Sequence, residues 1–267
     1  MLWDTHTHAF GSPDRYRLIA PRPYDPPAVT AADAMAMARS GGLDAVVWVH
    51  PSVYGMDNSA TLDALSAYPE NSRAVIALPD DTSPEALDRL HAAGVRGLRI
   101  NLLAKGGTTL EALAATDGEM RRVGWHVSAY LDASDSRLLD RLCEAVSVPV
   151  VLDHFGSIGK GSNALAVDPA QWTAMLRWMR QGRVWVKVSA PYSVANDAPE
   201  YDSLLPQLRA MAGAGSDQLI FASNWPHTGQ PRRPVTGEMR ACLSRLMQQA
   251  GIDPNAVLGV NANRLYA

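Results

Sequence analysis

Cysteine is nearly absent: Cys143 and Cys242 are the two in 267 residues, both inside helical patterns and neither in a C-x-x-C. That excludes a disulfide framework and reads as reduced, buried thiols. No apolar run approaches the ~18–20 residues that cross a bilayer. The chain starts Met-Leu-Trp-Asp-Thr-His, acidic and polar by its fourth residue, so no signal peptide is expected. Charge of one sign is also missing. Twenty-four basic against 27 acidic residues give a formal net charge of −3, which argues against a nucleic-acid surface. No G-x-S-x-G elbow occurs, which disfavours a serine hydrolase. The stretch "GSIGKGS" (156–162) has its first glycine too close to Lys160 for a phosphate loop and reads as a lid. What remains is an ordinary globular balance, 47% hydrophobic and 19% charged, expected in the cytoplasm without a membrane or nucleic-acid partner.

Short β-rich runs alternate with longer amphipathic stretches from end to end. The pattern predicts strands at 2–8, 45–50, 74–78, 97–102, 125–131, 148–154, 184–189 and 219–224. It predicts helices at about 31–40, 59–67, 84–93, 109–123, 136–146, 169–181, 199–213 and 236–250. Ser83-Pro84 and Asp168-Pro169 each place a cap residue before a first-turn proline. Alternating β and α without hairpin signals implies a parallel sheet. Eight such units, with no linker between composition blocks, predict one α/β domain over residues 1–267, a (β/α)8 TIM barrel. The rival, a doubly wound open sheet, lacks its glycine fingerprint after the first strand. Trp172, Met175 and Met179 recur at helical spacing and read as core or interface.

In such a barrel catalytic residues lie at the C-terminal ends of the strands. Of the seven histidines, His6 and His8 end the first predicted strand, His50 the second and His154 the sixth, and His227 follows the eighth. Only His91, mid-helix, and His126, at the start of the fifth strand, fall elsewhere. Five on one rim point to a polar site. His6 and His8 alternate along a strand and therefore share a face, with Asp4 at the same parity. Together they could ligate one metal or polarise one carbonyl oxygen. Arg99 and Asn101 share a face of the fourth strand, an inward arginine being suited to an anion or carbonyl. Tyr130 ends the fifth strand. After the eighth strand comes Asn224, a neutral amide that can neither accept a proton near pH 7 nor carry negative charge.

The stretches "DTHTH", "VHPSVYGMDN", "GVRGLRIN", "GWHVSAYLDA", "VVLDHFG", "VWVKVSAPY", "SNWPH" and "NANRLY" span the chain in order. Together they resemble the amidohydrolase superfamily, and within it the branch of 2-pyrone-4,6-dicarboxylate lactonase and related sugar- and muconolactone hydrolases. The resemblance implies a barrel enzyme that hydrolyses a lactone ring. His6 and His8 match the family's H-x-H pair, His154 its sixth-strand histidine and Asn224 its eighth-strand acid.

Two departures shape the expectation. Metal-dependent members of the superfamily carry a histidine where this chain has Tyr130. His126 lies four residues earlier, about 13 Å back at ~3.3 Å per residue, and no lysine stands on the fourth strand. Metal-independent chemistry is therefore expected, the alternative being one divalent ion (zinc or manganese) on His6 and His8. Secondly, the family's "G-T-D-W-P-H" motif has an aspartate, the base that deprotonates water, at the position of Asn224. Asparagine keeps the shape and removes the base. Either it is an inactivating Asp-to-Asn substitution, the reading preferred because every other strand-end residue is intact, or hydrolysis has been retired.

The dicarboxylate lactonase surrounds its substrate with arginines. Here Lys105, Ser157 and Tyr192 stand near those places, and fewer bidentate forks imply fewer carboxylates to hold. The expected substrate is a small neutral or mono-anionic lactone. The expected catalytic set is His6, His8, His154 and Asn224, and the expected binding set Tyr24, His50, Tyr54, Arg99, Asn101, Tyr130, Tyr192, Trp225 and His227. A metal-dependent decarboxylase or lactone isomerase, and a non-catalytic ligand-binding barrel, are the competing functions. A monomer or a homodimer fits equally.

Overall fold

Valine-rich pentapeptides such as "AVVWV" (45–49) and "VWVKV" (184–188) are too short and too β-branched for helices, and they pair side by side. The computed structural model describes residues 1–79, 82–103, 108–160, 168–230 and 235–267. Its strands are β1 (Trp3–Thr7), β2 (Ala45–Val49), β3 (Ser72–Ile76), β4 (Val95–Asn101), β5 (His126–Tyr130), β6 (Val150–Leu152), β7 (Val184–Val188) and β8 (Leu219–Phe221). All pair in parallel and in chain order, β1 through β8. Between and after them run α1 (Ala31–Ser40), α2 (Ser59–Ala67), α3 (Pro84–Ala92), α4 (Leu110–Arg122), α5 (Ser136–Ala145), α6 (Thr173–Arg180), α7 (Leu205–Gly215), α8 (Thr236–Gln249) and α9 (Asn261–Tyr266). This is the (β/α)8 barrel that the alternation predicts. Lys105 and the end of the 156–162 stretch lie outside the described residues.

Outward-facing strand residues (Val46, Trp48, Leu98, Ile100, Val127, Val186, Phe221) join the inner faces of the helices in one large apolar layer. Four of the helices, α1, α3, α4 and α5, begin where side-chain caps satisfy a first-turn N–H group. Ser83 accepts from Ala86 N ahead of Pro84, Asp135 from Leu138 N, and Thr30 with Asp33 forms a reciprocal capping box. Asp168 caps only a short 3-10 turn, Pro169–Trp172, which hands over to α6 at Thr173. The helix expected from 199 starts instead at Leu205, because Tyr201 takes a left-handed φ of 56° and breaks the helical path. Cys143 in α5 is buried, and Cys242 in α8 is partly exposed and unpaired.

"NANRLY" forms α9, an element the periodicity does not announce. Its Ala262 and Tyr266 pack against Trp3, Val47, Val75, Val151 and Trp185 and fill the N-terminal end of the barrel. Gly97, at the inward parity of Arg99 on β4, admits the neighbouring strand closely. A Cβ there would stand 2.6 Å from the His126 carbonyl oxygen and 3.1 Å from its ring.

Closure between β8 and β1 relies on a handful of bonds rather than a regular ladder. Thr5 Oγ1 donates to Phe221 O (2.7 Å), Ser223 N to Asp4 Oδ1 (2.9 Å), Asn224 N to His6 O (3.0 Å) and His8 N to Trp225 O (2.9 Å). These bonds set Asn224 beside the His6-Thr7-His8 segment. No helix among the described residues is long and apolar enough to cross a membrane.

Candidate active site

At the C-terminal end of the barrel the strands stop earlier than the pattern predicts. β6 ends at Leu152 and β8 at Phe221, so His154 and Asn224 sit in the turns that follow. Both are left-handed, with φ of 51° and 64°, as are the non-glycine neighbours Phe155, Ser157, Ala190 and His227. A residue so placed costs on the order of 1–3 kcal/mol and persists only where its surroundings hold it. Here Gln207 Nε2 donates to Phe155 O (3.1 Å) and Ala133 N to Gly156 O (2.8 Å). Asparagine suits its position best, since it visits this region readily.

The turns and strand ends enclose a cavity of about 330 Å³, lined among the described residues by His6, His8, Tyr24, Arg99, Asn101, Tyr130, His154, Tyr192 and Asn224, with Lys160 at its rim. Nine of the thirteen residues expected at the site therefore meet there. The other four are not among the described lining residues. His50 Nε2 donates to Gly55 O (2.8 Å), and Tyr54 packs on Phe10 and Tyr16, so both belong to the loop after β2. Trp225 lends its carbonyl to His8 N. His227 bonds Tyr192 Oη through Nδ1 and Thr236 Oγ1 through Nε2, both at 3.1 Å, and so supports a wall residue.

Beneath the histidines lies a charged cluster that the sequence reading did not single out. Lys187, from the C-terminal half of β7 and fully buried, reaches Asp153 Oδ1 (2.9 Å), Ser128 Oγ (3.1 Å) and His6 Nδ1 (3.1 Å). Ser128 donates on to Asp153 Oδ1 at 3.2 Å. Arg99 Nη1 stands 3.1 Å from Asp153 Oδ2, a charge contact without aligned hydrogen-bond geometry. Inward parity was the available signal. Lys187 alternates with Trp185, and Asp153 follows Val151, both of the apolar barrel interior.

Burial by itself would raise the Asp153 carboxyl, but Lys187, His6 and Arg99 together hold it well below the usual carboxylate range. Burial pulls Lys187 down while Asp153 opposes it. Burial, reinforced by Lys187, holds His6 well below the ordinary imidazole value, against the pull of Asp153. It takes His8, beside Arg99, to about 3, and His154 to about 3 despite Asp153. All three rings are thus neutral at pH 7, each with one N–H and one lone pair. His8 Nδ1 faces Val49 O at 2.8 Å, and a carbonyl only accepts, so Nε2 carries the lone pair. His154 Nδ1 faces Ser189 Oγ at 2.8 Å, whose hydroxyl points to Lys187 O at 3.4 Å. Tyr24 is driven up to about 12 by burial and stays a hydroxyl donor.

Asn224 Nδ2 donates to Tyr192 Oη at 3.0 Å. The tyrosine hydroxyl then has its hydrogen for His227 Nδ1, and His227 Nε2–H donates to Thr236 Oγ1. The chain runs outward from the amide.

His6, Asp153 and His154 can bring one ligand atom each within 4.8 Å of one another, a grouping that could hold a metal ion; His8 is not part of it. The carboxylate in that group already faces two buried cations, Lys187 and Arg99. A divalent ion would add its charge to theirs, and the residues present do not fit it while Lys187 is charged.

A parallel barrel whose C-terminal mouth joins neutral histidines, an arginine and tyrosines defines a small-molecule site of the hydrolase type. The chain belongs to the amidohydrolase family (Amidohydro_2), whose family model matches residues 3–267. It is similar to a 4-sulfomuconolactone hydrolase of Rhizobium radiobacter, 28% identical over 99% of this chain and 89% of that protein. It is also similar to a 2-pyrone-4,6-dicarboxylate hydrolase of Comamonas testosteroni, 30% identical over 84% of this chain and 76% of the other. The fold matches a crystal structure of an Acinetobacter baumannii protein with citric acid bound, at TM-score 0.86 and 22% identity over 99% of this chain and 98% of that one.

Proposed function

We propose that this barrel is built to open a small lactone, neutral or mono-anionic, by attack of water without a metal, and that Asn224 stands where the general base belongs. The observation that carries the reading is the make-up of the cavity wall. His6, His8, His154 and Arg99 converge beside Asn224, and among the described lining residues there is no carboxylate. Arg99 and the histidine ring hydrogen that faces the cavity polarise the lactone carbonyl. Tyr24, Tyr130 and Tyr192 supply walls and hydroxyl donors. Water adds to the carbonyl carbon, a base takes its proton, and the ring C–O bond breaks with the proton passed to the leaving oxygen. Asn224 cannot take that proton, so the chain polarises its substrate but hydrolyses it poorly. Names of relatives that act on lactones support the reaction class. The two cations at Asp153 support the absence of a metal.

The test compares this protein with its Asn224→Asp variant on a panel of lactones, following ring opening by pH-stat. The variant should turn over at least ~10²-fold faster, the lower end of what general-base assistance supplies. Binding of the best lactone should change much less. Equal rates in both proteins would place the base elsewhere. Tight binding with no opening by either would favour the non-catalytic barrel. A metal-dependent decarboxylase or isomerase is favoured by the His6–Asp153–His154 grouping, and an isomerase also by similarity to a D-galactarolactone isomerase of Agrobacterium fabrum. It would show as about one equivalent of zinc or manganese in protein purified without chelator.

A further inference from the structure

His6 sits at the meeting point of two opposite demands. Its Nδ1 is 3.1 Å from the Lys187 ammonium, which can only donate, and 3.3 Å from Asp153 Oδ1, which can only accept. Its Nε2 has no partner among the described residues, is buried, and belongs to a ring that lines the cavity. Whichever partner wins Nδ1 decides what the cavity receives from Nε2. If Asp153 wins, the cavity meets a lone pair; if Lys187 wins, it meets an N–H.

The geometry assigns Lys187 as the positioning residue that fixes His6 as the Nε2–H tautomer and so aims a hydrogen-bond donor into the cavity. A buried ammonium has three hydrogens to place, and Lys187 has three acceptors in reach: Asp153 Oδ1, Ser128 Oγ and His6 Nδ1. All three hydrogens are satisfied only if Nδ1 carries a lone pair. A proton on Nδ1 would leave one N–H of a fully buried cation unpaired and pointed at another N–H, which costs more than an ordinary missing bond. Asp153 Oδ1, meanwhile, already accepts from Lys187 and from the Ser128 hydroxyl, and its contact to Nδ1 is the longest of the three. His8 is held oppositely by Val49 O, so the H-x-H pair shows the ligand one donor and one lone pair. One strand thus carries two histidines of contrary polarity, sorted by a lysine from β7 and a carbonyl from β2.

The use of that donor, on a lactone carbonyl, rests on the function proposed above, but the tautomer does not. The experiment is long-range 15N–1H correlation NMR of the histidine rings at pH 7, on the protein as it is and on Lys187→Met. In the unmodified protein the His6 ring should show a protonated Nε2 and an unprotonated Nδ1. In Lys187→Met, Asp153 should capture the ring hydrogen, moving it to Nδ1, while His8 keeps its own tautomer. A protonated Nδ1 in the unmodified protein overturns the proposal, and so does an unchanged His6 ring in a folded Lys187→Met. If the methionine variant does not fold, the unmodified spectrum decides alone. Failure of the lactone panel would leave these spectra untouched, so the two ideas fall separately.

Discussion

Lowering the pH from 7 to 5 should unfold this barrel, and the histidines set the size of the effect. Five of them are essentially buried and held below their ordinary value: His8, His126 and His154 at about 3, His50 at about 4, and His6 well below 6.5. Folded, they stay neutral through this range; unfolded, each binds a proton below about 6.5. The sign follows. The unfolded state holds more protons, so stability is present above 6.5 and lost as pH falls. Each histidine costs about 2 kcal/mol between pH 7 and 5, a figure that does not depend on the folded value so long as it lies below 5. The five together reach about 10 kcal/mol, against a typical stability of ~5–15 kcal/mol. Asp4 works the other way. Burial raises it to about 6, so the folded state binds a proton that the unfolded state releases, and this returns only a little over 1 kcal/mol at pH 5. The expected transition lies near pH 5 and takes up about four protons net. Circular dichroism along a pH series, with proton uptake measured on the same samples, checks both. His126→Gln, which leaves the cavity wall intact, should lower the uptake by about one proton. A protein that keeps its near-ultraviolet signal at pH 4.5 while taking up these protons would refute the reasoning, because the rings would then be charging inside the fold.

Further outcomes follow from single groups. Arg99→Met should weaken the best-bound lactone by about 2–4 kcal/mol, as expected when a desolvated charge loses its partner; unchanged affinity in calorimetry would make Arg99 only a partner for Asp153. Lys187→Met removes the cation nearest Asp153, so His6, Asp153 and His154 should gain zinc affinity over the unmodified protein. Titration calorimetry with zinc chloride reads this, and equal weak binding by both would show that the ammonium does not exclude the ion. Gly97→Ala forces a methyl against the His126 carbonyl oxygen and should cost about 1–3 kcal/mol in urea denaturation.

The architecture was legible because its signals are local. Short β-rich runs marked the strands, and Ser83-Pro84 marked the start of α3 to the residue. The ends of β6 and β8 were overrun because a left-handed turn at His154 or Asn224 leaves no trace in an apolar/polar pattern. α9 escaped for a related reason: six residues are too few for a helical period to declare itself. The rim position of five histidines was readable, but a strand end says only which mouth a residue approaches. Beyond the last ladder bond the parity rule lapses, so His50 and His227 turn into supporting loops while His154 turns to the cavity.

The buried charges were hidden more deeply. Lys187 meets partners 181, 59 and 34 residues away, in β1, β5 and just after β6, and no window of sequence contains that arrangement. What the sequence does show is a lysine between two valines inside a barrel strand, where an unpaired charge would cost several kcal/mol. Such a residue demands a buried acid at inward parity on a neighbouring strand, and β6 runs into one, Asp153. Once a barrel is inferred, the pair can be deduced from that demand alone. The cavity floor then follows from charge balance, since a barrel that buries Lys187 and Arg99 needs Asp153 between them before any ligand arrives.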